Sequence, residues 1–100
     1  MAETVGTLTA LGAGKIFEPV IRPATGGGFN FTVWGTFAGT VALERSLDGQ
    51  ANWHPLTALG EPITFTGPAS EVLEEPQAGV AYRVNCTAYT SGTINYRLSQ

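Results

Sequence analysis

One hundred residues, 43% hydrophobic and only 13% charged, make one domain with about half the usual ~25% share of charged side chains. The net charge is −3 and the five Lys plus Arg are scattered, which excludes the basic patch that nucleic acid requires. A single cysteine excludes an intrachain disulfide, and no apolar run approaches the ~20 residues that span a membrane.

In chain order, residues 1–28 come first and stand apart. "TLTALGAGKIFEPVIRPATGGG" is small, apolar and Gly-rich, and Pro19 and Pro23 bar it from the centre of a sheet. Leu8, Leu11, Ile16, Phe17, Val20 and Ile21 are too apolar for a free tail. The segment is therefore either an edge strand or an extended N-terminal arm whose apolar residues contact a neighbouring subunit. Glu3 stands where a secretory signal has its basic region, so synthesis in the cytoplasm without export is expected.

From Phe29 to Gln100 period-2 alternation dominates. "FNFTVW" sets Phe29, Phe31 and Val33 against Asn30, Thr32 and Trp34, and "TVALER" sets Val41 and Leu43 against Ala42 and Glu44. "PITF" offers Ile63 and Phe65. "AYRVNCTAY" turns Tyr82, Val84, Cys86 and Ala88 inward, and "TINYRLS" does the same with Ile94, Tyr96 and Leu98. Residues 70–76 read equally as one helical turn or an edge strand. Turn-forming Gly, Pro, Asn and Asp separate these runs, and thirteen Thr beside one Lys favour strands over helices. The prediction is all-β: a single antiparallel β-sandwich, Ig-like or jelly-roll-like, over residues 29–100, preceded by the arm or edge strand of residues 1–28. "FTVWGTFAGTVALERS" and "YRVNCTAYTSGTINYRLS" share a plan, and each reads as a hairpin restarting at Gly-Thr.

Catalysis finds few candidates. Ser46, Asp48 and His54 lie on or beside one turn, too close in sequence to converge around a substrate as a triad. Glu71, Glu74 and Glu75 read as a solvated cluster with no acid facing them. Cys86 has no second thiol or His at ligand spacing and reads as a buried thiol. No enzyme activity, cofactor or metal is expected.

"SLDGQANW" resembles the Asp-box of sialidases and other propeller proteins, Ser-x-Asp-x-Gly-x-Thr-Trp. Ser46, Asp48 and Trp53 match, whereas Gln50 replaces Gly and Asn52 replaces Thr. Ser46, Asp48, Gly49 and Trp53 are accordingly expected to build a structural turn, with Asp48 accepting backbone N–H groups and Gly49 taking positive φ.

A longer resemblance joins this box to the acidic Glu74-Glu75-Pro76 and to the closing run from Tyr82 to Gln100, "YRVNCTAYTSGTINYRLSQ". Together they resemble small structural proteins encoded among the head and tail genes of tailed bacteriophages. The resemblance implies a virion component assembled in the host cytoplasm: a capsid decoration (cement) protein that binds and stabilises the major capsid protein shell as a homo-oligomer, with a trimer expected. A tail, stopper or adaptor subunit is the alternative, as is a carbohydrate- or host-surface-binding module that stacks sugars on Trp34 and Trp53. No nucleic-acid or membrane partner is expected.

Overall fold

The computed structural model describes residues 3–21 and 26–100, and among them every helix-or-strand element is a strand. The long ones are β1 (Glu3–Leu8), β3 (Gly28–Trp34), β4 (Phe37–Ser46), β9 (Ala69–Glu74), β10 (Ala81–Gly92) and β11 (Ile94–Ser99). Five two-residue strands fill in between: β2 (Gly12–Ala13), β5 (His54–Pro55), β6 (Thr57–Ala58), β7 (Glu61–Pro62) and β8 (Thr64–Phe65). One sheet runs β1-β11-β3-β9, the other β2-β10-β4-β5 with β8 also on β4, and all pairs are antiparallel. β6 and β7 form a small ribbon.

The two inner faces carry the core. Phe29, Phe31, Val33, Ile94, Tyr96 and Leu98 come from the first sheet, and Val41, Leu43, Tyr82, Val84 and Cys86 from the second. Alternation put all of these inside, because each of these strands has one solvated face. Phe65 is only partly buried, packing its ring 5.3 Å from Phe31 at the rim. Residues 70–76 hold no helical turn: β9 is an edge strand.

The two echoing segments are not two hairpins. β3 pairs with β11 and β4 with β10, while β3 and β4 belong to different sheets. Each echo is a single strand that bends from one sheet into the other, and the two lie antiparallel as a bent ribbon. Strands that switch sheets at a corner are how sandwiches of this kind join their layers. The corner is made by Gly35 (φ 116°) and Gly92 (φ 93°), where Thr93 N donates to Thr36 O at 3.3 Å. Gly39-Thr40 lies inside β4 and restarts nothing.

β10 also departs from strict alternation. Its register with β4 shifts between Cys86 and Ala88, and again between Tyr89 and Ser91. A one-residue bulge reverses which face a side chain meets. Ala88 is therefore exposed, and Tyr89 packs on the core in its place.

Residues 3–21 lie along the sandwich as an extended segment shared between the sheets. β1 closes the edge of the first sheet with six residues paired to β11, and β2 adds to β10. Phe17 then bridges Tyr82 through two backbone hydrogen bonds, at 2.7 and 2.8 Å, and its ring enters the core 5.5 Å from Phe29.

Candidate functional site

The box turn joins β4 to β5, with Arg45 opposite His54 and Glu44 opposite Pro55. Ser46 is fully buried; its Oγ donates to Asp48 Oδ1 (3.0 Å) and accepts from Gln50 N (3.0 Å). Asp48 Oδ1 also accepts from Asn52 N (2.9 Å), and Oδ2 from Asn52 Nδ2 (2.7 Å). Donation from the Asn52 side chain and backbone, with Ser46 behind them, holds the Asp48 carboxyl down at about 2. Gly49 (φ 71°) and Gln50 (φ 73°) both take the left-handed conformation, so Gln50 adopts the backbone that the sialidase pattern reserves for Gly. Trp53 is half-buried beneath the Arg83 guanidinium, 4.3 Å from its ring centroid, and Arg83 Nε donates to Glu44 at 2.8 Å. Ser46 and Asp48 thus spend their polar atoms on the turn, and His54 is exposed on β5.

The turn gives a pH-linked expectation. A carboxylate whose folded pKa lies below its unfolded value stabilises the fold above the unfolded pKa, and that contribution disappears as pH falls through the folded one. Asp48 should therefore support stability at neutral pH and lose its effect between about pH 4 and 2. Asp48→Ala should melt a few degrees below wild type at pH 7, and the gap should close toward pH 2. Parallel thermal melts across that range check it.

The second polar constellation is not a surface one. Glu75, expected in a solvated cluster, is 1% exposed at one end of the core. Its Oε1 receives an ion-paired hydrogen bond from Arg45 Nη2 and a bond from the Tyr82 hydroxyl at 2.8 Å; its Oε2 accepts Gln77 N at 3.1 Å. Burial alone would raise this carboxyl, but the donors outweigh it and hold it below the ordinary range. Burial and the bond to Glu75 push Tyr82 up to about 12. The signal was present in the sequence: Arg45 continues the inward parity of Val41 and Leu43, and an inward arginine requires a carboxylate. Three donors converge on the Glu75 carboxylate while Arg45 Nε is buried without a partner among the described residues, and the cluster ties β4, β10 and the segment after β9 together as framework.

An open groove of about 520 Å³ lies where β1 meets residues 13–15, floored by Tyr96. The Tyr96 hydroxyl accepts Lys15 N at 2.8 Å, and Gly6 and Gly14 close over the ring, where a Cβ on either would lie 2.6 Å from Cζ. The groove is the seam that locks the N-terminal segment to both sheets.

The six apolar residues expected at a subunit contact separate. Phe17 belongs to the chain's own core, which corrects its assignment to a neighbour, and Leu8 is half-buried against that core. Phe17 and Pro19 are both buried between exposed Ile16, Glu18 and Val20, a short alternation that the prolines around it hid in the sequence. Ile21 is half-buried. Leu11 (66% exposed), Val20 and Ile16 remain on the surface. Residues 1, 2 and 22–25 of the expected arm lie outside the described residues.

Cys86 is buried, and burial pushes its thiol up, which keeps it protonated. Among the described residues no cluster of His, Cys, Asp or Glu could hold a metal, and no helix is long and apolar enough to cross a membrane. Fold and site define an all-β sandwich protein with a structural turn and a buried ion-pair network. Comparison with family models, curated proteins and solved structures finds no match to this chain.

Proposed function

We propose that this chain is a structural subunit of a tailed-bacteriophage virion, a decoration protein that binds and stabilises the shell of the major capsid protein. What carries the reading is the resemblance of the box, Glu74-Glu75-Pro76 and the run from Tyr82 to Gln100 to small phage structural proteins. Geometry supports it in one respect: the residues of that resemblance are spent on framework. Arg45, Glu75 and Tyr82 meet in one buried network, Ser46 and Asp48 in one turn, and Cys86, Tyr96 and Leu98 in the core. A tail, stopper or adaptor subunit would use the same framework.

Under this reading Leu59 is a contact point for such a partner. It is fully exposed after β6, on the turn into β7, with φ 53°, a conformation a leucine adopts at a cost. That cost is repaid when a partner covers the side chain, at ~1.5–3 kcal/mol for full burial. The experiment mixes the purified chain with capsids of the same phage that lack it. Saturable binding in fixed ratio to capsid subunits, with shells that resist heating better, is the expected result. Leu59→Asn should weaken that binding while leaving the fold at least as stable, because Asn tolerates the left-handed region. Binding to tails alone, or to neither, would overturn the capsid assignment. The carbohydrate reading rests on Trp34, 41% exposed beside Asn95 on the outer face of the first sheet. Glycan-array binding lost in Trp34→Ala would favour it.

A further inference from the structure

We propose that the free edge of β9 is a self-pairing surface, on which a second copy of this chain lays its own β9 antiparallel about a two-fold axis at Val72. The first sheet ends in β1 on one side and β9 on the other. The β1 side is guarded. Lys15, the chain's one lysine, donates from Nζ to Val5 O at 3.2 Å, and the Thr4 hydroxyl donates to Ile16 O at 3.0 Å. The chain's own N-terminal segment thereby lies along that edge, and lysine is a residue that natural sheets place on edges to stop pairing.

β9 has no lysine and no covering segment among the described residues; its edge charges are Glu71, opposite Phe31, and Glu74. Its register with β3 runs unbroken from Gly28↔Glu74 to Val33↔Ala69, with no bulge, and "ASEVLE" contains no Pro, Lys or Arg. Its other side meets no strand among the described residues. Val72 stands 81% exposed on the outer face of the sheet.

The sequence of β9 also selects the occupant and the register. A two-fold axis normal to the sheet keeps outer side chains beside outer ones, so it passes through a residue and not between two. An axis at Glu71 would set two carboxylates directly opposite each other. An axis at Leu73 would set Glu71 against Glu75 and run the strand into Pro76. An axis at Val72 sets Val72 against its own copy, Glu71 against Leu73 and Ser70 against Glu74, with no like charges opposed. The two four-stranded sheets then become one continuous sheet of eight. An isologous contact of this kind closes at two copies, so it is distinct from any three-fold arrangement on a shell, and it holds whatever particle the chain belongs to.

One six-residue edge buries far less than the ~800 Å² per partner of a standard interface, so half-dimerisation is expected at about 0.1 mM. Sedimentation equilibrium of the full chain from micromolar to millimolar concentration should show monomer passing to dimer. Val72→Lys should remain monomeric throughout with an unchanged melting temperature, since the side chain is outside the core. Val72→Cys should oxidise to a disulfide-linked dimer and Ser70→Cys should not, because residue 70 lies opposite residue 74 of the partner; native Cys86 is buried and stays out of the reaction. A chain that stays monomeric at millimolar concentration would overturn the proposal and leave the edge to an extended segment of another protein. A dimer that Val72→Lys does not disturb, or equal cross-linking from both cysteines, would overturn it as well.

Discussion

Glu75→Ala should lower the unfolding free energy by about 3 kcal/mol or more, since it strands the Arg45 guanidinium and the Tyr82 hydroxyl without their shared acceptor. For a domain of this size that is a drop in melting temperature of more than ~10 °C. Removing both charges should be gentler than removing one. Arg45→Met combined with Glu75→Leu leaves no buried charge, and it should unfold at higher denaturant than Glu75→Ala, as hydrophobic replacement of buried pairs often does. Urea titration of wild type, both single variants and the double variant completes the cycle. If Glu75→Ala unfolds with wild type, the network contributes nothing to stability. Alkali probes the same cluster. Tyr82 is held at about 12 in the folded protein, above its unfolded value near 10, so its contribution is full below pH 10 and is lost as pH rises toward 12. Tyr82→Phe should flatten stability over that window.

This network shows where reading the sequence succeeds and where it stops. Parity along β10 pointed Tyr82 inward; the same parity along β4, carried one step past Leu43, points Arg45 inward, a step the sequence reading did not take. Glu75 shares the inward parity of Leu73, and its N–H donates to Gly27 O at 3.0 Å, but a glutamate just past the end of an edge strand and beside Pro76 reads as solvated. Its neighbours Glu71 and Glu74 are exposed, and composition alone lumps the three together. Phe17 escaped for a different reason. It starts a short alternation with buried Pro19, between exposed Ile16, Glu18 and Val20, but Pro19 spoils the strand signature, and its ring fills the gap beside Phe29. The turn at Ser46 and Asp48 was legible because its side chains bond to backbone within six residues. Local chemistry is readable locally; contacts across the sandwich are not.

The corner is the instructive middle case, and it carries the second large effect. The echo between the two segments was visible, yet Gly followed by Thr signals a hairpin and a sheet-switching bend equally well. What separates them is the partner strand, which local sequence does not name. At Gly92 the backbone is left-handed (φ 93°), and a Cβ there would overlap the Thr36 carbonyl and come within 2.6 Å of Phe37 Cα. Both obstacles are backbone of the opposing strand, so neither can swing aside. Gly92→Ala should therefore cost about 3 kcal/mol or more, enough to leave a marginal domain largely unfolded. Gly49→Ala supplies the control. Gly49 has a comparable φ of 71° in the box turn, but a Cβ there meets open space. Its cost is the left-handed conformation alone, about 1–2 kcal/mol. Chemical denaturation of the two variants side by side separates strain from collision. Equal losses would mean that the corner tolerates the extra atom and that the bent ribbon is looser than its geometry implies. A much larger loss at Gly92 would establish the close approach of Gly92 to Thr36 and Phe37 as the point at which the two sheets are joined.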